Sequence, residues 1–373
     1  MGNTFWHLAL EPLEERYTGQ WLRWFRAADY HTFEYVEVIG EPLCDKIEVG
    51  AFLDVNSTMH WKAEQVKNLA ALFYAGKVQD GDIFFVADMW FPIEMLKYLI
   101  QLNGIDAKIF VFLHAGTYTK EDFAAPMAYW AEYLEIGWAF AVDGIFVGTE
   151  YHKFAFVDRR LQSSGKSYDQ VLRNIHVTGN PFSSKEVQAA APDIVKRDFI
   201  LFPNRFDYEK RPNLFLDLAV ILKRRHPKWR FGVCTSREMF RSNQVWLCEY
   251  ARALELGGIV EIHEGLSKTD YYRLLAEAKV MVSTTIEENF GYCTLEAMAL
   301  GTIPVVPNDY SHPEVVGFNS SWLYTGLDDA LVKIEEAMTG PTKSFGRARE
   351  RLEYYDSSLQ RIVDICCGAN LFR

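Results

Sequence analysis

Residues 279–307 read KVMVSTTIEENFGYCTLEAMALGTIPVVP and contain two apolar runs with a helical segment between them. KVMVST (279–284) and TIPVVP (302–307) have the length and composition of buried strands. Gly291 marks a sharp turn into the helix, which we expect to end near Leu300. Continuous apolar strands that alternate with helices are typical of a parallel sheet covered on both faces.

The same alternation of strands and helices runs through almost the whole chain. It predicts two α/β halves of similar size, which suits a chain of 373 residues that is too long for one small core. The predicted strands are FWHLAL (5–10), IFFVAD (83–88), AKIFVFLHA (107–115), GIFVGT (144–149), NIHVTG (174–179), FILFPN (199–204), WRFGVCTS (229–236), GIVEIH (258–263), KVMVST and TIPVVP.

A polar stretch, SSKEVQAAAPDIVKR, separates the two halves. We therefore expect a Rossmann-like domain over 1–182, a linker over 183–198 and a second Rossmann-like domain over 199–345. A charged helical segment follows over 346–373. Two doubly wound sheets place their ligand sites at the carboxyl ends of strands, so we expect them to face a central cleft there.

The charge and the cysteine content exclude several classes of protein. The net charge is −11, and residues 1–180 hold 15 Lys and Arg against 24 Asp and Glu. This balance does not favour a wide nucleic-acid footprint. The six cysteines include no C-x-x-C pair, so neither a zinc site nor a disulfide framework is indicated. We find no signal peptide pattern and no run long enough to cross a bilayer, and we expect a cytoplasmic protein without membrane insertion.

Glu288 and Glu296 flank the turn at Gly291. A helix N-terminus carries unpaired N–H groups and a partial positive charge, which can hold a phosphate or a hydroxyl-rich ligand. Carboxylates accept bidentate hydrogen bonds from the vicinal diols of ribose and hexoses. Either acid alone is better explained as a helix cap or an exposed helix residue, but the whole string is more specific.

Arg205 and Lys210 lie five positions apart in NRFDYEKRP (204–212), after the strand FILFPN. Two cations at the start of a helix suit a diphosphate, which arginine can bind through two hydrogen bonds. The alternative is an ordinary charged loop.

The string EENFGYCTLEAMALGTIPVV (287–306) resembles the signature of retaining GT-B glycosyltransferases of family 4 (group 1). The resemblance implies that Glu288 contacts the donor sugar and that Glu296 holds the nucleotide ribose. It also implies that sugar hydroxyls bind the backbone of four residues: Asn289, Phe290, Gly291 and Tyr292.

The same family carries an R-x4-K pair where Arg205 and Lys210 stand. The resemblance implies that both cations stabilise the departing diphosphate. Arg211 occupies a position where many members have glycine. The donor implied is a UDP- or GDP-linked sugar bound by the second domain, with the acceptor on the first. Similar proteins also have a C-terminal helix that packs back on the N-terminal domain, here within 346–373.

The first half matches the family less closely. His114 ends a strand, where the family has a histidine near the donor sugar, although a structural role is equally expected. Thr18 and Gly19 lie where many members have a Gly-Gly phosphate loop. Only Gly19 is present, but we still expect Thr18, Gly19 and Gln20 to line the cleft at the donor site. In NDYSHPE (308–314), Glu314 corresponds to a residue that holds the loop near the donor.

We expect no catalytic metal. Asp80-Gly81-Asp82 has the form of the D-x-D metal motif of the other glycosyltransferase architecture, but a turn is the better interpretation. We find no nucleophile-and-acid carboxylate pair of the glycosidase kind. Retention would then come from same-face attack, with the leaving phosphate as the proton acceptor.

The acceptor is open at this point. ERYTGQWLRWF (15–25), HAGTY and IEENFGY…NDYSHPE are similar to glycosyltransferases encoded by tailed bacteriophages. That similarity implies a hydroxymethylated pyrimidine in phage DNA, modified in the cytoplasm of the host cell. A polysaccharide, lipid or protein acceptor is the alternative. A different class of function is a sugar-nucleotide-binding protein without transferase activity, or an epimerase. The oligomeric state is not indicated.

Overall fold

The computed structural model describes residues 2–14, 16–45, 53–165, 167–235, 240–340 and 346–368. Glu15 and residues 341–345 and 369–373, which belong to segments interpreted above, lie outside these ranges. The chain divides into two compact units. Unit 1 comprises Met1–Pro181 and Ser357–Arg373, and unit 2 comprises Phe182–Asp356.

Unit 1 is built on a six-stranded sheet with the strand order β2-β1-β3-β4-β5-β6. Every neighbouring pair in this sheet is parallel. The strands are β1 Thr4–Leu8, β2 Glu34–Val38, β3 Ile83–Val86, β4 Lys108–Phe112, β5 Gly144–Val147 and β6 Ile175–Val177. The helices between them are α1 Tyr17–Arg26, α2 Val55–Tyr74, α3 Ile93–Leu102, α4 Ala128–Ala141, α5 Glu150–Phe156 and α6 Asp169–Arg173. A π-helical turn, Val157–Leu161, extends α5.

Successive residues of the strands in unit 1 enter two different cores. Phe5 and Phe85 belong to one apolar cluster, whereas their neighbours Trp6 and Phe84 belong to another. Adjacent side chains of a strand point to opposite faces of the sheet, so both faces are buried under helices. This is why the strands read as continuous apolar runs.

Unit 2 has a second six-stranded sheet with the order β12-β11-β10-β7-β8-β9, again parallel between all neighbours. The strands are β7 Arg197–Phe202, β8 Arg230–Cys234, β9 Glu261–His263, β10 Ala278–Val282, β11 Ile303–Pro307 and β12 Leu323–Tyr324. The helices are α7 Ser184–Ala190, α8 Pro212–Arg225, α9 Val245–Leu256, α10 Lys268–Glu277, α11 Tyr292–Ala299, α12 His312–Val315, α13 Leu327–Thr339 and α14 Gly346–Asp356. The predicted fold class, two Rossmann-like α/β domains, is confirmed.

The stretch 183–198, expected to be a linker, is largely structured within unit 2. The side chain of Ser183 accepts a hydrogen bond from the Glu186 N–H and caps α7. Val187 on that helix is buried in the core of unit 2, and β7 already begins at Arg197. The polar composition belongs to the exposed face of a capped helix rather than to a connector.

The C-terminal segment, expected as one element, is divided between the two units. Helix α14 belongs to unit 2, and the last helix, α15 Ser358–Cys366, belongs to unit 1. Ile362 and Val363 of α15 are fully buried in the same cluster as Phe5 and Trp21. The Arg361 guanidinium donates to the Thr178 carbonyl at 2.8 Å. The last helix therefore completes one core of unit 1.

All six cysteines are present as free thiols. Over the residues that the structure describes, no helix is both long enough and apolar enough to span a bilayer.

Candidate active site

The candidate site of unit 2 lies where the order of its strands reverses. The chain builds β7, β8 and β9 outward on one side and then returns to place β10 on the other side of β7. The carboxyl ends of β7 and β10 therefore stand side by side, and a crevice opens between the loops that diverge from them. Arg205 and Lys210 follow β7, and Glu288 follows β10, so the topology brings the two motifs to one place.

Gly291 forms the turn into α11 with φ of 86°. This left-handed conformation is one that glycine adopts without steric cost. A Cβ at this position would lie 3.4 Å from Cγ of Glu288 and 3.5 Å from Oγ1 of Thr294. The turn thus lets the Glu288 side chain pass close to the backbone at the start of the helix. The preceding Asn289 and Phe290 are buried, and Tyr292 is the first residue of α11.

Lys210 and Glu288 form an ion pair, with Nζ of the lysine 3.1 Å from Oε2 of the glutamate. Burial opposes ionisation of Glu288, but the charge and hydrogen bond of Lys210 and the backbone N–H of Phe290 outweigh it. The net effect holds the pKa of Glu288 below its ordinary value. Glu288 is therefore a carboxylate at neutral pH, next to a cation and a helix N-terminus.

The loop after β7 is fastened to the loop after β10. The Ile286 N–H donates to the Glu209 carbonyl at 2.8 Å. The Thr284 hydroxyl lies 2.9 Å from the Lys210 carbonyl and 2.8 Å from the Arg211 carbonyl. These contacts fix the backbone of Lys210 against the strand that leads to Glu288. Arg211 itself has φ of 47°, which explains why glycine suits this position.

Arg205 contacts two acids of its own loop. Its Nη2 lies 2.7 Å from Oε1 of Glu209, and its Nη1 lies 3.6 Å from Oδ2 of Asp207. The Asp207 carboxylate also accepts the N–H of Asn243 at 2.9 Å. To bind a phosphate, Arg205 would exchange these carboxylates for phosphate oxygens. The sequence motif indicated the cation but not this pairing.

Glu296 is almost fully buried, 3% exposed, in the second turn of α11. Oε1 lies 2.8 Å from Nζ of Lys268 and 3.2 Å from the Tyr272 hydroxyl. Oε2 accepts from the Tyr271 hydroxyl at 2.7 Å. These three donors lie in α10, and sequence reasoning did not identify them. The carboxylate of Glu296 is thus enclosed by a cation and two phenols, and its assignment to the ribose stays a prediction.

The segment after β11 adds a histidine that the sequence analysis did not single out. Nε2 of His312 lies 3.1 Å from the Thr285 hydroxyl, and the N–H of Ser311 donates to the Glu288 carbonyl at 3.3 Å. Burial lowers the pKa of His312 to about 4, so its ring is neutral at pH 7. Glu314, expected to hold this loop, lies 3.6 Å from Arg351 of α14.

In unit 1, both ring nitrogens of His114 are engaged. Nε2 donates to the Ala87 carbonyl at 2.8 Å, because a carbonyl can only accept. Nδ1 therefore accepts from the Tyr17 hydroxyl, 3.1 Å away. Burial lowers the pKa of His114, which keeps it neutral. A role at the donor sugar stays a prediction, and it would require a ligand to replace one of these two partners.

Thr18 and Gly19 lie in the first turn of α1 and are buried. The Thr18 hydroxyl accepts the Leu13 N–H at 3.0 Å, which closes the loop between β1 and the helix. A Cβ on Gly19 would lie 3.2 Å from the Leu13 carbonyl, so this glycine allows a close approach of backbone. These contacts account for both residues structurally, and their assignment to the donor site stays a prediction.

Lys62 and Asp88 form a further ion pair at the carboxyl end of the first sheet. Nζ of Lys62 lies 2.7 Å from Oδ2 of Asp88 and also donates to the Trp90 carbonyl. Burial opposes ionisation of Asp88, yet the charge and hydrogen bond of Lys62 and the backbone N–H of Trp90 keep its pKa below the ordinary value. The sequence analysis missed this pair because the two residues are far apart in the chain and belong to no recognisable motif.

Asp80-Gly81-Asp82 forms a structural turn, as expected. Oδ1 of Asp82 accepts the N–H of Thr4 at 2.8 Å, and Oδ2 accepts the indole N–H of Trp6 at 2.8 Å. Gly81 has φ of 86°. Among the residues within the described ranges, no group of three or more His, Cys, Asp or Glu is arranged to hold a metal ion.

Comparison with known proteins associates unit 2 with one family. Residues 184–355 match the family described as Glycosyl transferases group 1. This stretch covers nearly all of unit 2 and slightly less than half of the chain. The tRNA-queuosine alpha-mannosyltransferase of Drosophila melanogaster is 27% identical over 117 residues. That match covers 31% of this chain and 30% of the relative, so it spans less than a third of the relative's length.

Solved structures extend the similarity to the whole chain. The apo structure of OtsA has a TM-score of 0.65 at 15% identity and covers 100% of this chain and 99% of that one. The apo form of the lipopolysaccharide outer core galactosyltransferase WaaB has a TM-score of 0.63 at 17% identity and covers 100% of both chains. S. aureus TarM bound to UDP has a TM-score of 0.57 at 16% identity, covering 80% of this chain and 59% of that one. The fold is thus of the GT-B class.

Proposed function

We propose that the protein is a glycosyltransferase that moves a sugar from a nucleoside-diphosphate sugar to an acceptor hydroxyl. The observation that carries this proposal is the Lys210–Glu288 pair, 3.1 Å apart, beside the N-terminus of α11 at the strand reversal of unit 2. A cation and helix N–H groups can bind a diphosphate, and a carboxylate can bind sugar hydroxyls, so the three together suit a nucleoside-diphosphate sugar. The family match over residues 184–355 supports the same assignment.

In the proposed reaction, Arg205 and Lys210 bind the diphosphate and stabilise the charge that develops as it leaves. Glu288 and the backbone at 289–292 hold the donor sugar, and Glu296 holds the ribose. The acceptor oxygen bonds to the anomeric carbon while the bond from that carbon to the diphosphate breaks. The departing phosphate takes the acceptor proton. Attack occurs on the face that the diphosphate leaves, which retains the anomeric configuration.

We propose that transfer needs no metal, because two cations in one loop can neutralise the diphosphate as a divalent ion does elsewhere. The first test is a thermal-shift screen with UDP, GDP and their sugars, with magnesium and with EDTA. A nucleotide at 100 times its Kd adds about 2.7 kcal/mol to stability. We expect one nucleotide class to stabilise the protein equally under both conditions.

The matched variants are Lys210→Met and Lys228→Met. Lys228 is exposed and lies outside the site, so its variant controls for the loss of one lysine. We expect the nucleotide-dependent shift to fall sharply in Lys210→Met and to persist in Lys228→Met. A screen in which no nucleotide raises the melting temperature would refute the donor site.

Incubation with the stabilising donor separates transferase from the alternative class. A transferase hydrolyses the donor slowly without acceptor, whereas a binding protein leaves it intact and an epimerase converts it into another nucleotide sugar. NMR of the transferred sugar then reports the anomeric configuration, and an inverted product would overturn the same-face mechanism.

We propose a nucleic-acid hydroxyl, as in a hydroxymethylated pyrimidine of DNA, as the first acceptor to test. The relative named as a tRNA-queuosine mannosyltransferase supports a nucleic acid. The excess of acidic residues in the first half favours instead a polysaccharide, lipid or protein acceptor. Labelled donor should transfer to hydroxymethylated DNA and not to the same sequence without hydroxymethyl groups. Transfer only to a polysaccharide, lipid or protein would replace the DNA proposal.

A further inference from the structure

The hydrogen bonds at Glu296 limit what its carboxylate can still bind. A carboxylate offers about four acceptor positions, two on each oxygen. Three donors already occupy it: Lys268 and the Tyr272 hydroxyl on Oε1, and the Tyr271 hydroxyl on Oε2. One position remains, on Oε2. A ribose diol has two hydroxyl donors, so it cannot bind both of them to this carboxylate without displacing a present partner.

The three donors are held in place by more than their bonds to Glu296. Tyr272 is 3% exposed and belongs to the core of unit 2, and Tyr271 packs against that core. Nζ of Lys268 lies 5.2 Å from the centre of the Tyr271 ring and 4.9 Å from that of Tyr272. Cation–π attraction and the ion pair therefore hold the ammonium in one position.

Displacing Lys268 would also be unfavourable for electrostatic reasons. Glu296 is 3% exposed, and the ion pair that the structure gives it is the one with Lys268, at 2.8 Å. Removing the partner of a buried charge is strongly destabilising, because the remaining charge is shielded from water and has no opposite charge to compensate it. The ammonium is therefore expected to stay on Oε1 when a nucleotide binds.

We propose that Lys268 is a positioning residue that sets nucleotide specificity. It occupies an acceptor position on Oε1 of Glu296, so that the carboxylate binds one ribose hydroxyl of the nucleoside diphosphate and not both hydroxyls of the diol. This inference rests on the proposed function, since it assumes that a nucleoside diphosphate binds with its ribose at Glu296. It adds that the two ribose hydroxyls contribute unequally to affinity.

The test measures Kd by calorimetry for the nucleoside diphosphate that binds best, and for its 2′-deoxy and 3′-deoxy forms. We expect one deoxy form to bind within about twofold of the parent. The other, which loses a hydrogen bond to a charged acceptor, should bind about tenfold more weakly or worse. The native protein alone gives this result, so the test does not depend on a variant that folds.

Variants at position 268 then assign the asymmetry to the lysine. Lys268→Met releases an acceptor on Oε1, so both deoxy forms should now bind about tenfold more weakly than the parent. Lys268→Arg keeps a donor there and should restore the unequal pattern. The matched control is Lys279→Met, which removes a lysine that pairs with Asp198 at 2.6 Å near the amino ends of the strands. It should leave the pattern unchanged.

Equal losses for the two deoxy forms in the native protein would overturn this inference while leaving the proposed function intact. Equal affinity of both forms and the parent would overturn it as well, as would asymmetry that persists in Lys268→Met. If no ribonucleoside diphosphate binds at all, the proposed function fails and the inference fails with it.

Discussion

Arg211 shows how a single residue can hold a strained backbone at the edge of a site. Its φ of 47° lies in the left-handed region, which glycine adopts without strain but which is sterically unfavourable for residues that have a Cβ. At this position we expect Arg211→Gly to be more stable than Arg211→Ala by about 1 kcal/mol. Urea unfolding of both variants measures the difference.

The control for this prediction is the same pair of substitutions at Arg273, in the middle of α10. There glycine should be less stable than alanine by about 1 kcal/mol, because a helix interior disfavours it. The opposite sign at the two positions is the expected result. If alanine were also the more stable choice at position 211, the backbone strain would not be significant.

His312 links the stability of unit 2 to pH. Its pKa is about 4 in the folded protein because of burial, against an ordinary value of 6.5. Between these values the unfolded chain binds a proton that the folded chain does not, so stability falls as pH falls from about 6.5 towards 4. His312→Gln should flatten this dependence, measured by urea unfolding at several pH values.

His60 is the matched control for the pH prediction, because it is partly exposed on α2 of unit 1. His60→Gln should leave the pH dependence of unit 2 as it is in the native protein. An unchanged slope in His312→Gln would mean that the imidazole is not held neutral by its surroundings.

The residues of the site were predictable where a local motif contains them. Arg205, Lys210 and Glu288 each lie a few positions after an apolar strand, and a parallel fold brings such positions together. The contacts around Glu296 were not predictable, since Lys268 and its two neighbouring tyrosines look like part of an ordinary amphipathic helix. Only the packing of α10 against α11 shows that they face a buried carboxylate.

At the scale of elements, two strands escaped the sequence analysis. The strand β2 reads EYVEV and is mostly half-exposed at the edge of its sheet, so it lacks the apolar run that marked its neighbours. The strand β12 has two residues. Both are edge strands. The partial exposure of β2 weakens its apolar pattern, whereas β12 is buried but too short to give a periodic signal. The buried central strands were all predicted.

Helix α15 is an element whose burial leads to a direct prediction. Ile362 is fully buried with Trp21 and Phe25 in one core of unit 1. Ile362→Ala should destabilise unit 1 by about 3 kcal/mol, from lost burial and the cavity left behind. Urea unfolding followed by tryptophan fluorescence measures this loss. Val332→Ala, at a half-exposed position of α13, should change stability by less than about 0.5 kcal/mol.

At the scale of the whole molecule, the two units differ in how the chain forms them. Unit 2 is one continuous segment, Phe182–Asp356, and its core draws on that segment alone. We expect a fragment of residues 182–356 to fold and to bind the same nucleotides as the full chain. A dispersed NMR spectrum and a thermal shift with nucleotide would establish this.

Unit 1 has no such continuous fragment. Residues 1–181 lack α15, and with it Ile362, Val363 and Cys366 of their core. We expect that fragment to expose apolar surface and to unfold at a lower temperature than unit 1 of the full chain. Adding a peptide of residues 357–373 should raise its melting temperature. A fragment as stable as the full chain would show that α15 contributes little.

The position of α15 also determines the order in which a newly made chain can mature. The ribosome produces residues 1–181 first, but the helix that completes their core emerges only after the whole of unit 2 has been made. Unit 2 can therefore complete its folding before unit 1, which must wait until α15 has emerged. A product truncated before α15 would therefore carry a complete unit 2 beside a unit 1 that lacks part of its core.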